Sequence, residues 1–219
     1  MRHIPAMMVM PANNSSGLVH HLATKYPGKV GWMFSPGGFK EPVPWLPYVI
    51  DNGKYSCFES KREWSEDAFF ELLDRCRFSR FKPQWVTVPD EVADRDKTLW
   101  LWNQYRDRIK QYGWPLACVV QDGMTPGDVP DAADIVFIGG SANWKWRNVA
   151  LFCAAFPLVH VGRVNWHDKL EYCERVGAMS CDGTGFFRGD QTQKQQLIDF
   201  ISGHRRHAEQ PQLFGTQHL

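Results

Sequence analysis

Short apolar or β-branched runs recur along the whole chain, separated by longer stretches of mixed polarity. Within these runs the apolar residues are continuous and do not alternate with polar ones. Continuous runs are typical of parallel strands that are buried on both faces of a sheet. We identify eight such strands, at residues 6–10, 30–34, 48–50, 85–88, 117–120, 135–138, 158–161 and 178–181.

Amphipathic helical patterns lie between most of these predicted strands, at residues 65–75, 94–112, 144–156 and 166–176. A last helix follows Asp190, with Gln193 three residues later as a capping-box partner. The Gly- and Pro-rich connections 35–47 and 123–133 leave room for little helix. Alternating strands and helices predict an α/β fold, and eight strands favour closure into a single compact (β/α)8 barrel of the TIM type.

From the composition we expect a single domain, because 219 residues of which 43% are hydrophobic can bury one sizeable core. We expect residues 1–203 to form the barrel domain and the polar residues 204–219 to form a loosely ordered tail. No apolar run approaches the roughly 20 residues of a membrane helix. Six scattered cysteines without a C-x-x-C pair favour a reducing cytoplasm.

The net charge of +1 excludes a general electrostatic attraction to nucleic acid, so any contact with a polyanion must be local. No group of cysteines and histidines has the spacing of a metal site. We therefore expect neither a metal nor a cofactor.

Polar residues directly follow six of the predicted strands. In a barrel these positions meet at one mouth, where active sites are built. Three aspartates, a glutamine and a glycine pair there predict a pocket that holds a nucleophile, an acid or base, and amide groups able to bind a base edge. The residues are Asp51 and Asn52, Asp90, Gln121 and Asp122, Gly139 and Gly140, Gly162 and Arg163, and Asp182.

Each of these short segments also has a simpler interpretation. An isolated Asp-Asn-Gly or Gln-Asp-Gly segment is more often a turn, and only the shared position at strand ends reverses that preference. The turns at Gly139–Gly140 and Gly162–Arg163 would suit a phosphate, which three aspartates would repel. Arg163 is equally consistent with a phosphate ligand and a salt bridge. His160 is interpreted as a buried core histidine.

The order of these motifs resembles the queuine and archaeosine tRNA-guanine transglycosylases. The resemblance spans residues 48–182 and implies that Asp182 is the nucleophile and Asp51 the general acid/base. It implies that Asp90 holds N1 and the exocyclic amine of the base. It further implies that the turn containing Gln121 and Asp122 contacts the base, and that Gly139 and Gly140 offer backbone N–H to its O6.

This sequence differs from the tRNA-guanine transglycosylases in one feature that changes the expected substrate. The tRNA enzymes carry a zinc site downstream of the nucleophile, and no cysteine follows Asp182 here. The chain is more similar to the compact phage-type deazapurine DNA transglycosylases, which segments 86–92 and 159–165 also resemble. This implies exchange of guanine in DNA for a free 7-deazaguanine such as preQ0, with tRNA the less expected substrate.

Nucleic-acid contacts are predicted for Lys145, Arg147 and Arg188. The target nucleotide must be flipped or single-stranded, and Trp144, Trp146 and Phe186 are candidate stacking residues. Open alternatives are a base-excising glycosylase, a tRNA-type transglycosylase, a phosphate-binding metabolic barrel and a non-catalytic nucleic-acid-binding subunit. A homodimer also stays open.

Overall fold

The computed structural model describes residues 7–203 and contains one parallel sheet of eight strands. The sheet order is β1-β8-β7-β6-β5-β4-β3-β2, so neighbours in sequence are also neighbours in space. Every predicted strand matches an observed one within a few residues, although the first prediction begins at Ala6, outside the described residues. The strands are β1 Met8–Met10, β2 Trp32–Phe34, β3 Tyr48–Ile50, β4 Val86–Thr87, β5 Leu116–Val120, β6 Ile135–Ile138, β7 Val159–Val161 and β8 Ser180–Asp182.

The two outermost strands, β1 and β2, lie against each other and close the sheet. Parallel bridges join Val9 to Val30 and Ala12 to Met33. The Gly31 N–H donates to the Val9 carbonyl at 3.0 Å, and the Asn13 N–H donates to the Met33 carbonyl at 2.9 Å. The predicted (β/α)8 barrel of the TIM type is therefore confirmed.

Eight α-helices lie within the described residues, and five of them match the predicted helices closely. Residues 35–47 hold no helix, and residues 123–133 hold only a single 3-10 turn at Pro126–Asp128, as predicted. Helices α1, α2 and α7 are absent from the sequence prediction, because α2 and α7 are short and α1 begins at Gly17, a poor helix former. The helices are α1 Gly17–Lys25, α2 Lys54–Glu59, α3 Glu66–Phe78, α4 Arg95–Lys110, α5 Ala142–Ala155, α6 His167–Val176, α7 Gly185–Arg188 and α8 Gln191–Ser202.

Successive side chains of each strand point alternately to the helices and to the barrel axis, so the core has two parts. Tyr48 and Ile50 of β3 face the helices, while Val49 between them faces the barrel axis. The barrel interior is filled by a separate apolar cluster of Met10, Met33, Val49, Trp85, Ala117, Val119, Ile135 and Phe137. The next inward positions toward the carboxyl ends of the strands carry the polar residues of the mouth.

Side-chain caps fix where several helices begin after the loops. Ser65, Asp94, Ser141 and Asp190 each accept a hydrogen bond from the backbone N–H three residues later. Asp190 Oδ1 accepts from the Gln193 N–H at 2.8 Å, which is one half of the predicted capping box. Ser141 also ends the Gly139–Gly140 turn, so its cap ties the mouth to the start of α5.

No helix between residues 7 and 203 is long and apolar enough to cross a membrane. The predicted loosely ordered tail, residues 204–219, lies outside the described residues.

Candidate active site

A cavity of about 350 Å³ opens at the carboxyl ends of the strands. Its volume is within the usual range of small-molecule pockets, roughly 300–1,000 Å³. Val119 and Phe137 of the barrel interior form part of its floor. Most predicted site residues line it, namely Asp51, Asn52, Asp90, Gln121, Gly139, Gly140, Gly162, Arg163, Asp182 and Arg188.

Asp182 ends β8 and is held through one carboxylate oxygen. Its Oδ1 accepts from the Arg163 backbone N–H at 3.0 Å and from His160 Nε2 at 3.2 Å. Its side chain points into the cavity and the residue is 8% exposed. Its Oδ2 has no hydrogen-bond partner among residues 7–203, so one oxygen is fixed and the other is available for reaction.

His160 is buried, as predicted, but it also contacts the candidate nucleophile, which sequence reasoning missed. Because a carboxylate only accepts hydrogen bonds, Nε2 must carry the proton that faces Asp182. Nδ1 lies 2.8 Å from Ser180 Oγ. The imidazole packs against Phe137 and Trp85, with ring centroids 4.6 and 5.1 Å away. The strand register brings this contact about, because His160 of β7 pairs with Ser180 of β8, two residues before Asp182.

Asp51 follows β3 and is half-buried at the cavity wall. Burial, together with the negative charges of Asp182 and Asp90, raises the pKa of its carboxyl to about 7. The Gly53 N–H donates to Asp51 Oδ2 at 3.0 Å, which opposes this rise but does not cancel it. A carboxyl that titrates near neutrality is suited to general acid and base catalysis.

Asp90 lies between two amide side chains at the base of the cavity. Asn52 Nδ2 donates to its Oδ1 at 2.7 Å, and Gln121 Nε2 donates to its Oδ2 at 2.6 Å. Burial raises the pKa of Asp90, and the two amide hydrogen bonds counteract the rise. Each oxygen keeps an unused lone pair, so the carboxylate can still accept two further N–H donors.

Gln121 also occupies the backbone N–H of Gly140, the donor that the glycine turn was expected to offer to a base. Its Oε1 accepts from the Gly140 N–H and from the Ala93 N–H, both at 2.9 Å. The expectation of a free Gly140 N–H for the base O6 is therefore wrong in this arrangement, because that donor is already satisfied inside the protein. A Cβ at Gly139 would lie 2.8 Å from Gln121 Nε2, so the close approach of this amide requires glycine.

Asp122 does not line the cavity, so the predicted base contact is not made from this position. Its carboxylate accepts from the Ser141 N–H and from Ser141 Oγ, both at 2.6 Å. These bonds brace the turn around Gly140, whose φ of +71° favours glycine. Asp122 is a positioning residue for the turn.

The Arg163 side chain covers one side of the cavity. Its guanidinium lies 4.0 Å from the ring centroid of Tyr55 and donates to the Gly140 carbonyl. Tyr55 also lines the cavity, and sequence reasoning missed it because α2 was not predicted. The salt-bridge interpretation of Arg163 is not met among residues 7–203, since its guanidinium forms no ion pair there, and the phosphate-ligand interpretation stays a prediction.

The residues predicted to contact nucleic acid differ in their exposure and in their position relative to the cavity. Arg188 is exposed and lines the cavity, and Arg147 is exposed on α5 away from it. Lys145 is only 2% exposed and donates to the Gly162 carbonyl, so its predicted phosphate contact is wrong. Phe186 is fully buried in the core, which excludes a stacking role for it, and Trp144 and Trp146 are half-buried.

Two aromatic side chains at the mouth are strongly exposed and were not predicted as stacking residues. Trp166 is 67% exposed and Phe58 is 60% exposed. Each is adjacent in sequence to a residue that lines the cavity, Asn165 and Glu59 respectively. They follow β7 and β3, which lie on opposite sides of the barrel.

Comparison of the chain with protein-family models gives no match, and comparison with curated proteins gives no significant match.

Proposed function

We propose that this protein is a guanine transglycosylase that replaces guanine in DNA with a 7-deazaguanine base such as preQ0. The observation that carries the proposal is one cavity that brings together three carboxyl groups with different surroundings. Asp182 presents an unbound oxygen, Asp51 titrates near pH 7, and Asp90 is held by two amides. These are the nucleophile, the acid/base and the base-recognition group that base exchange requires.

In the first half of the reaction, Asp182 Oδ2 attacks C1′ of the target nucleotide. The bond between C1′ and N9 breaks, and its electron pair moves onto the departing guanine. Protonated Asp51 donates a proton to the base, so that guanine leaves as a neutral molecule. The product is a covalent ester between Asp182 and the sugar, as in retaining glycoside chemistry.

In the second half, the incoming 7-deazaguanine loses its N9 proton to ionised Asp51. N9 attacks C1′, the ester bond to Asp182 breaks, and the carboxylate is regenerated. Asp51 is protonated again and the enzyme returns to its initial state. A pKa of about 7 for Asp51 supports both directions of proton transfer at neutral pH.

Selectivity for guanine is proposed to come from Asp90. The N1–H and the exocyclic amine of guanine are adjacent donors, which match the two unused lone pairs of this carboxylate. Adenine has no such pair and would leave these two lone pairs of a buried carboxylate unsatisfied, which is costly. Gln121 contacts the base from the neighbouring strand end once the base replaces one of its protein partners.

The cavity at the mouth is large enough for one base but not for a base pair within a duplex. A base inside a duplex cannot reach a cavity of this size, so the nucleotide must be extruded or unpaired. Trp166 and Phe58 provide exposed rings for stacking on flanking bases, and Arg188 provides a cation at the rim.

The direct test uses an oligonucleotide with labelled guanine, single-stranded or in a duplex, and a labelled tRNA, each with and without preQ0. We expect guanine release and preQ0 incorporation, measured by nucleoside mass analysis, from DNA. Release that does not need preQ0, and that leaves abasic sites, would instead identify a glycosylase. Activity on tRNA alone would contradict the DNA assignment, and no release from any substrate would contradict base exchange.

Replacement of Asp90 with asparagine is expected to reduce discrimination between guanine and hypoxanthine, which lacks the exocyclic amine. The wild-type ratio of kcat/KM for the two bases should be about 10 to 100, from one unsatisfied buried group of about 1–3 kcal/mol. In the variant this ratio should approach one. Glu91→Gln, which removes a neighbouring carboxylate bonded to Lys54 and Lys97, is the matched control. An unchanged ratio in Asp90→Asn would remove Asp90 from base recognition.

A further inference from the structure

Lys145 is a buried cation that the proposed reaction does not use. It projects from α5, is 2% exposed, and forms no ion pair among residues 7–203. Burial of an ammonium group without a carboxylate partner is costly, so its position calls for a physical explanation. Its Nζ donates to the carbonyl oxygen of Gly162, directly after β7.

That carbonyl belongs to the same peptide group as the Arg163 N–H. In a trans peptide the C=O and N–H point in opposite directions. One side of this group therefore faces the Lys145 ammonium, and the other donates to Asp182 Oδ1 at 3.0 Å. A cation at the carbonyl polarises the peptide and makes its N–H a stronger donor.

Hydrogen bonds of the neighbouring backbone groups and close packing also hold this peptide in place. The Gly162 N–H donates to the Ile138 carbonyl at 3.0 Å, and the Val164 N–H donates to the Asp182 carbonyl at 2.7 Å. Arg163 has a φ of +56°, a left-handed conformation that non-glycine residues rarely adopt. A Cβ at Gly162 would approach Phe137 to 2.6 Å, so glycine is needed there.

We infer that Lys145, acting through the Gly162–Arg163 peptide and together with His160, positions the Asp182 carboxylate and makes Oδ2 the oxygen that attacks the sugar. Oδ1 is occupied by two donors, the Arg163 N–H and His160 Nε2. Lys145 is thus a positioning residue and not a phosphate ligand. The inference rests on the proposed function for its chemical consequence, but the polarised peptide exists independently of it.

The charges around Lys145 support this role. Burial, assisted by the positive charge of Arg163, lowers the pKa of Lys145 to about 8, although Asp182, Cys173 and Cys181 oppose the change. At pH 7 the ammonium is therefore still mainly charged, and it loses its proton as the pH rises through about 8. These surrounding groups lie on α6, directly after β7, and on β8. The Lys145 ammonium is therefore enclosed partly by β8, the strand that carries Asp182, and by the turn after β7 that binds it.

The test compares Lys145→Met with Lys169→Met. Lys169 is a suitable control because its Nζ lies 5.3 Å from the Trp146 ring that Lys145 approaches to 4.8 Å, but it is partly exposed and paired with Asp168. We expect Lys145→Met to slow single-turnover guanine release by about 10- to 100-fold, as for other residues behind a reactive group. Its affinity for DNA and the salt dependence of binding should stay unchanged, and Lys169→Met should behave as the wild type.

A second readout does not need activity. The Arg163 amide proton resonance should move upfield in Lys145→Met, because the weaker donor forms a weaker bond to Asp182. In the wild type this resonance should titrate near pH 8, and in Lys169→Met it should match the wild type. An unchanged resonance in Lys145→Met would overturn the inference, as would weaker DNA binding with an unchanged single-turnover rate. If the resonance moves but the wild type releases no guanine from any substrate, the positioning role stands and the proposed function fails.

Discussion

Guanine release is expected to fall by on the order of 10⁴-fold or more when Asp182 is replaced with asparagine, since the nucleophile is lost. Asparagine keeps an acceptor oxygen that can occupy the place of Oδ1, facing the Arg163 N–H and His160 Nε2. The amide nitrogen replaces Oδ2 and cannot attack C1′. The variant therefore separates the chemistry of the nucleophile from the structure that holds it.

Covalent trapping gives the direct measurement. Wild-type protein quenched with acid during reaction on a DNA oligonucleotide, before preQ0 is added, should contain a protein–DNA adduct in intact mass analysis. Asp182→Asn should contain none. Asp168→Asn, which removes an exposed carboxylate in the first turn of α6, should form the adduct normally. An adduct that persists in Asp182→Asn would place the nucleophile on another residue.

Asp51→Asn is expected to reduce both half-reactions by about 10²- to 10⁴-fold, the usual contribution of a general acid or base. In the wild type, guanine release needs protonated Asp51 and should fall as the pH rises through about 7. Attack by the incoming base needs the ionised form and should fall as the pH drops through a value below 7, because the ester removes the Asp182 charge that helps to raise the pKa of Asp51. Single-turnover pH profiles of the two half-reactions should therefore slope in opposite directions, and both slopes should disappear in Asp51→Asn.

Thermal stability provides an independent check on Asp51. The pKa of this carboxyl is higher in the folded protein than its ordinary value of 3.8, so the folded state binds the proton more tightly. Its ionisation consequently costs stability progressively as the pH rises from about 4 to about 7. The melting temperature of Asp51→Asn should exceed that of the wild type at pH 8, and the difference should shrink toward pH 4. A wild-type rate in this variant would exclude Asp51 as the acid/base.

The agreement between the sequence patterns and the barrel has a simple origin. Strands 48–50 and 135–138 were predicted from continuous apolar runs, and the observed strands have the same limits. Such runs are local features that depend on burial on both faces of a sheet. Helix α2 was missed because none of its residues is buried, so it has no apolar face for a pattern to reveal.

The outcome for Lys145 shows where local patterns fail. A lysine that follows a glycine turn at the mouth resembles a phosphate ligand in sequence, yet its long side chain turns inward to the Gly162 carbonyl. The direction of a flexible side chain depends on the partner that other elements supply. The same applies to the Gly140 N–H, which Gln121 satisfies from the neighbouring strand end.

The sequence by itself determined the barrel and the placement of Asp51, Asp90 and Asp182 at its mouth, because continuous apolar runs, their alternation with helices and the polar residues that follow them are properties of the chain. The tertiary structure alone decided which oxygen of Asp182 is free, what His160 contacts, and that the pKa of Asp51 is about 7. Hydrogen-bond partners, burial and neighbouring charges come from residues far apart in sequence. Their effects appear only when the fold brings those residues together.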